Sequence, residues 1–96
     1  MSYAVEFTRQ ADEDLARLPP LTASAVLDAI DRLAQDPIGL SRPSRFPYLP
    51  GRQMYQFWTK TSEGDYWVTV FFRYGQDEQR IIIPDIGAQR IAAGPN

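Results

Sequence analysis

The stretch YWVTVFFRY, residues 66–74, alternates along its length and reads as a strand whose two faces do not match. Successive strand side chains point to opposite sides. One side carries Tyr66, Val68, Val70, Phe72 and Tyr74, and the other carries Trp67, Thr69, Phe71 and Arg73. A small domain covers one face of its sheet well and leaves the other nearer to water. A face bearing Trp67 and Phe71 therefore calls for a cover: a loop of the same chain, a second copy, or a helix of a partner.

Working outward, SEGD (62–65) is a hairpin turn with glycine where a positive φ is wanted. Before it, RQMYQFWTKT (52–61) alternates Tyr55, Phe57 and Thr59 against Gln56, Trp58 and Lys60. Trp58 and Trp67 thus fall on paired strands and share a face, opposite the set Tyr55, Phe57, Val68, Val70 and Phe72 that packs on helices. After it, YGQDEQ (74–79) turns the chain and RIIIPDI (80–86) is the last strand. Pro84 has no N–H for a ladder, which predicts fraying or an edge position there. The remainder, GAQRIAAGPN, predicts a turn of helix running into a flexible tail at 91–96.

Upstream, Tyr3, Val5 and Phe7 alternate as a short first strand. Thr8 suits an N-cap, with Asp12, Glu13 and Asp14 near the positive end of the helix it opens. Ala11, Leu15 and Leu18 recur at helical spacing until Pro19-Pro20. Thr22 then caps a second helix with Val26, Ile30 and Leu33 as its stripe, closed by Pro37. Residues 36–52, DPIGLSRPSRFPYLPGR, hold four prolines and predict an irregular segment lying against the body through Leu40, Phe46, Tyr48 and Leu49.

The order β-α-α-β-β-β is an α+β layout: two N-terminal helices packed on a four-stranded, mostly antiparallel sheet. At 96 residues the chain is expected to be a single domain, 1–96. There is no apolar run of membrane-spanning length and no secretory signal pattern, so no membrane association and a cytoplasmic location are expected. The chain has neither cysteine nor histidine, which removes disulfides, thiol chemistry and the commonest metal ligand and general base. No metal and no cofactor are expected. The net charge of −2 conceals an uneven distribution. Acids outnumber bases over residues 10–36, whereas residues 37–62 carry Arg42, Arg45, Arg52 and Lys60 and no acid. Such a stretch can receive an anionic partner, or be no more than solvated arginines.

The ordered set YAVEFTRQADEDLARLPP, LAQDP, MYQFWTKTSEGDYWVTVFF and a last strand ending DIG resembles the RelE/ParE family of bacterial toxins from type II toxin–antitoxin systems. The resemblance spans nearly the whole chain. It implies a RelE/ParE-like fold and a cognate antitoxin protein as partner. The RelE branch implies ribosome-associated mRNA cleavage by a metal-independent endoribonuclease. The ParE branch implies inhibition of DNA gyrase. In the nuclease branch, basic and aromatic residues stand on the concave sheet face, where cations stabilise the charged phosphorane and rings stack the splayed base.

Residue by residue, this chain keeps part of that pattern. Where the nuclease branch places lysines on the second strand, it has Gln56 and Trp58, with Lys60 next in phase. Tyr66 is kept, and Trp67 stands in the position of an arginine. After Gly87 come Ala88, Gln89 and Arg90, with no tyrosine beyond Tyr74. The candidate catalytic residues are therefore Arg90 and Lys60. The candidate RNA- or partner-binding residues are Arg52, Gln56, Trp58, Trp67, Phe71, Arg73 and Arg45. Glu63 is expected to be solvated in its turn, and Asp85 to cap the tail. The neutral substitutions keep a second reading open: a non-catalytic binding module of the same fold, either a gyrase inhibitor or an inactive antitoxin-binding scaffold. The aromatic face would also suit a homodimer.

Overall fold

The computed structural model describes residues 2–44, 51–76 and 79–91. The elements in chain order are β1 (Ala4–Phe7), α1 (Arg9–Ala16), α2 (Pro20–Gln35), α3 (Pro37–Leu40), β2 (Arg42–Pro43), β3 (Gln53–Thr61), β4 (Gly64–Tyr74) and β5 (Arg80–Ile91). They form one sheet in the order β1-β5-β4-β3-β2. β1 pairs parallel with β5; the chain leaves β1 through α1 and α2, reaches the far edge at β2 and returns through β3 and β4. The remaining pairings are antiparallel. The class is α+β as expected, but the sheet has five strands rather than four. The additional strand, β2, lies in the proline-bearing stretch that was expected to be irregular.

The helices cover one face. Val26, Ile30 and Leu33 of α2 meet Val68, Val70 and Phe72 of β4 and Ile81 and Ile83 of β5 in one buried cluster, with Ala11 of α1. Each fully buried aliphatic or aromatic side chain there contributes roughly 1.5–3 kcal/mol. Thr8 caps α1 as its position predicts, its hydroxyl accepting from Ala11 N at 3.2 Å. α2 starts earlier than expected, because Pro20 suits the first helical turn. Thr22 consequently lies inside the helix, fully buried, and its hydroxyl has no partner. The cap comes from a distant segment instead: a carboxylate oxygen of Glu63, in the β3–β4 turn, accepts from Leu21 N. Glu63 is therefore a structural acceptor and not a free turn residue.

The sequence Asp36-Pro37-Ile38-Gly39 also has a physical reason. Asp36 Oδ1 accepts from Gly39 N at 3.0 Å, and a side chain at Gly39 would put its Cβ 2.2 Å from Asp36 Oδ2. A side chain at position 39 would therefore push the Asp36 carboxylate out of its capping position.

β5 departs most from expectation. It runs unbroken through Pro84 to Ile91, where fraying and then a helical turn were expected; β1 flanks it only as far as Ile83, so the edge expected at Pro84 is there on the β1 side. Phe71 pairs with Asp85, yet Arg73 pairs with Ile82, so β5 holds one extra residue between them. A bulge of this kind tolerates proline. The neighbouring backbone groups are taken by α1 and its cap. Thr8 Oγ1 donates to Pro84 O at 2.6 Å, Thr8 N donates to Ile83 O at 3.1 Å, and Ile86 N donates to Asp14 Oδ2 at 2.9 Å. The bulge reverses the strand's phase. Ile81 and Ile83 face the helices before it, and Ile86 does so after it.

Candidate functional site

The face away from the helices is built in rows, because residues directly opposite in an antiparallel pair project to the same side. Lys60, Asp65 and Ile91 form one row, then Trp58, Trp67 and Gln89, then Gln56, Thr69 and Gly87, then Met54, Phe71 and Asp85. Arg73, beside Ile82, lies past the bulge.

The two indoles are the centre of this face. Trp58 and Trp67 lie directly opposite each other, with ring centroids 4.8 Å apart and planes inclined at 55°. Trp58 remains 55% exposed. The expectation of a shared aromatic face therefore holds. In the next row Gly87 leaves a hollow, since a Cβ there would meet nothing within 4 Å.

Beside the indoles, the polar side chains are mostly engaged. Arg42 Nη2 donates to Gln56 Oε1, and Gln56 Nε2 donates to Thr69 Oγ1 at 3.1 Å. That chain fixes the Gln56 amide across β2, β3 and β4. A cleft of about 340 Å³ beside it is lined by Leu40, Arg42, Met54, Gln56 and Trp67. Arg52 lies with its guanidinium 4.3 Å from the centre of the Phe71 ring and donates from Nη2 to Asp85 Oδ1 at 2.6 Å. Its side chain is only 13% exposed, so it is a held cation and not a rim charge. Asp85 has this role instead of capping a tail.

Lys60 and Arg73 are exposed on the face but stand at its two ends. About eight residues of strand, roughly 26 Å, separate them, too far to share one phosphate. Arg90 does not join either of them. It pairs with Tyr66, which packs against the core, and therefore projects on the helix side of the sheet. Its guanidinium lies close to Gly64, in a cleft of about 270 Å³ with Thr61, Ser62, Glu63 and Asp65. The cause is the extra residue at Pro84, since an unbroken phase from Ile81 and Ile83 would have put Arg90 on the open face. The two candidate catalytic residues are thus on opposite sides. Arg45 lies outside the described residues, as do Phe46 and Tyr48 of the loop considered as a cover.

Sequence reasoning passed over Arg42, Thr69 and the engagement of Asp85 with Arg52. Arg42 had entered only as one cation of the acid-free stretch, because a two-residue strand among prolines has no periodicity to place it. Among the described residues no group of three or more acids, histidines or cysteines is placed to hold a metal. Among the described residues no helix is long and apolar enough to cross a membrane.

No protein-family model matches the chain, and no curated protein matches it. Solved structures do. A chain of the RelBE2 toxin–antitoxin complex from Mycobacterium tuberculosis superposes with a TM-score of 0.72 at 23% identity, over 93% of this chain and 100% of that one. A variant of the E. coli toxin RelE in the free state gives 0.63 at 11% identity, over 91% and 83%. The intact E. coli RelBE toxin–antitoxin complex gives 0.64 at 11% identity, over 90% and 95%. The chain therefore has the fold of the RelE toxins.

Proposed function

We propose that this protein is the toxin component of a type II toxin–antitoxin pair, held by a cognate antitoxin, and that it acts on translation through ribosome-associated mRNA. The fold supports the class, and the open Trp58–Trp67 platform supports the target. A single-stranded base has a π-face that stacks on exposed indole, worth about 1–3 kcal/mol per base. The amide held at Gln56 offers a positioned hydrogen-bonding group beside that platform, and the hollow at Gly87 leaves room for a sugar or base edge. Lys60 contributes a cation at the hairpin end of the face. Cleavage would require a charged phosphorane to be met by a cation, and Lys60 stands one row from the platform. The direct test is induced expression with growth scored and mRNA 5′ ends mapped. Growth arrest with new, ribosome-dependent ends is expected; normal growth with unchanged ends would remove the proposal.

A second reading is favoured by one observation: Arg90 and Lys60 lie on opposite sides of the sheet. In this version the protein binds without cutting, as a gyrase inhibitor or an inactive antitoxin-binding scaffold. Growth arrest with intact mRNA, together with blocked supercoiling by purified gyrase, would select the inhibitor. Antitoxin binding without growth arrest would select the scaffold.

A further inference from the structure

β3 is nine residues long, and β2 pairs only with its first two, Gln53 and Met54. From Tyr55 to Thr61 the outer side of β3 is paired with no described strand. Sheet edges are normally blunted by proline, a bulge, brevity or charged side chains, lysine above all. This one, YQFWTKT, has no proline, no glycine and no register shift against β4. Its single charge is Lys60. The direction of its free groups follows from the β2 side, where Ser44 N donates to Arg52 O at 2.8 Å. Backbone groups alternate along a strand, so Gln56, Trp58 and Lys60 turn their N–H and C=O outward.

We infer that this edge pairs antiparallel with the same edge of a second copy, so that one sheet runs through both. The inference is independent of the proposed function. The usable segment is bounded by β2 at one end and by the turn at Ser62 and Glu63 at the other, which makes Trp58 its centre. Pairing over the full length places Trp58 opposite the partner's Trp58 and Gln56 opposite the partner's Lys60. Phe57 then meets the partner's Thr59, and Tyr55 the partner's Thr61. Each outward N–H and C=O of Gln56, Trp58 and Lys60 finds a counterpart.

The charges select this occupant. The only cation of the segment meets a neutral amide, so no like charges are opposed, and an aromatic side chain meets a β-branched one on the helix side. The indole platforms of the two copies become neighbours across the two-fold axis, giving one continuous aromatic surface.

The chain lacks cysteine, which makes the register directly readable. In full-length protein, Trp58→Cys places its thiols on the two-fold axis. There the Cα atoms of a hydrogen-bonded pair lie about 5.5 Å apart, within disulfide range. Lys60→Cys places them roughly 13 Å apart. Mild oxidation is expected to cross-link Trp58→Cys and to leave Lys60→Cys uncoupled. Because removing an indole can weaken the fold, sedimentation of the unmodified chain across a concentration series provides a second readout and should show a dimer. Gln56→Glu keeps the acceptor for Arg42 and gains two ion pairs per dimer, so it should tighten association roughly 2- to 30-fold, and Gln56→Lys should weaken it. A monomer at every concentration would overturn the inference and leave the edge to a strand of another protein. Equal cross-linking of the two cysteine variants would overturn the register.

Discussion

The two faces of this sheet are made by the same strands, and they differ in what lies over them. On one side Val68, Val70 and Phe72 are fully buried beneath α1 and α2. On the other, Trp58 is 55% exposed one row from a hydrogen-bonded amide. Burial of the first set drives folding. Leaving indole in water forfeits part of that gain at about 25 cal/mol per Å², which is reason to look for a ligand and not for a stabilising role. The contrast separates residues that make the fold from residues that use it.

The sharpest way to break that separation is to cut into both faces. Phe72→Ala should cost about 3–5 kcal/mol in urea unfolding, the range for emptying a packed core site. Trp58→Ala should cost less than about 1.5 kcal/mol, mainly its contact with Trp67. Comparable losses would show that the open face is a second core.

An intermediate effect is expected at Asp85, whose removal strands the guanidinium of Arg52 against Phe71. A fully buried pair broken on one side costs about 3–5 kcal/mol; with Asp85 partly exposed, Asp85→Ala should cost about 1–3 kcal/mol. A double-mutant cycle with Arg52→Met measures the coupling, and additivity would remove it. Glu63→Ala, which uncaps α2 from across the molecule, should cost about 0.5–2 kcal/mol by thermal unfolding, with Glu63→Gln recovering most of it.

The smallest effect belongs to Tyr74, at the helix-side end of β4. Burial, and then the charge of Tyr3, push its phenol above 10.0, while a hydrogen bond with Ser41 pulls the other way. Above that pH the unfolded chain releases a proton that the folded chain still holds. Stability should therefore be unaffected by this group below about pH 10 and fall as pH rises further. Tyr74→Phe should lessen that alkaline decline, as followed by fluorescence.

How much of this was legible in the sequence depends on the range of the forces involved. The direct opposition of Trp58 and Trp67 follows from a turn of two residues, Ser62 and Glu63, where SEGD was expected, whereas their shared face was readable because the period of two is local. Thr8 as a cap was readable for the same reason. Arg90 was misplaced because the last strand was expected to end at Ile86, and because one extra residue at Pro84 reverses the phase of everything after it. The clue, a change from Ile81 and Ile83 to Ile86, was hidden by the apolar Ile82 between them. Glu63 could not be read as the cap of α2, since its partner Leu21 is 42 positions away. β2 exists only because β3 offers an edge to it, which no two-residue pattern announces.

The central claim is that the open face binds and the helix side supports it. Titrating full-length protein with a short single-stranded RNA, and following tryptophan fluorescence, tests it most directly. Saturable quenching is predicted, weakened roughly 5- to 100-fold by Trp58→Ala and left unchanged by Arg32→Ala, an exposed residue in the last turn of α2 on the helix side. Affinity that survives the loss of Trp58 and falls with Arg32→Ala would contradict it.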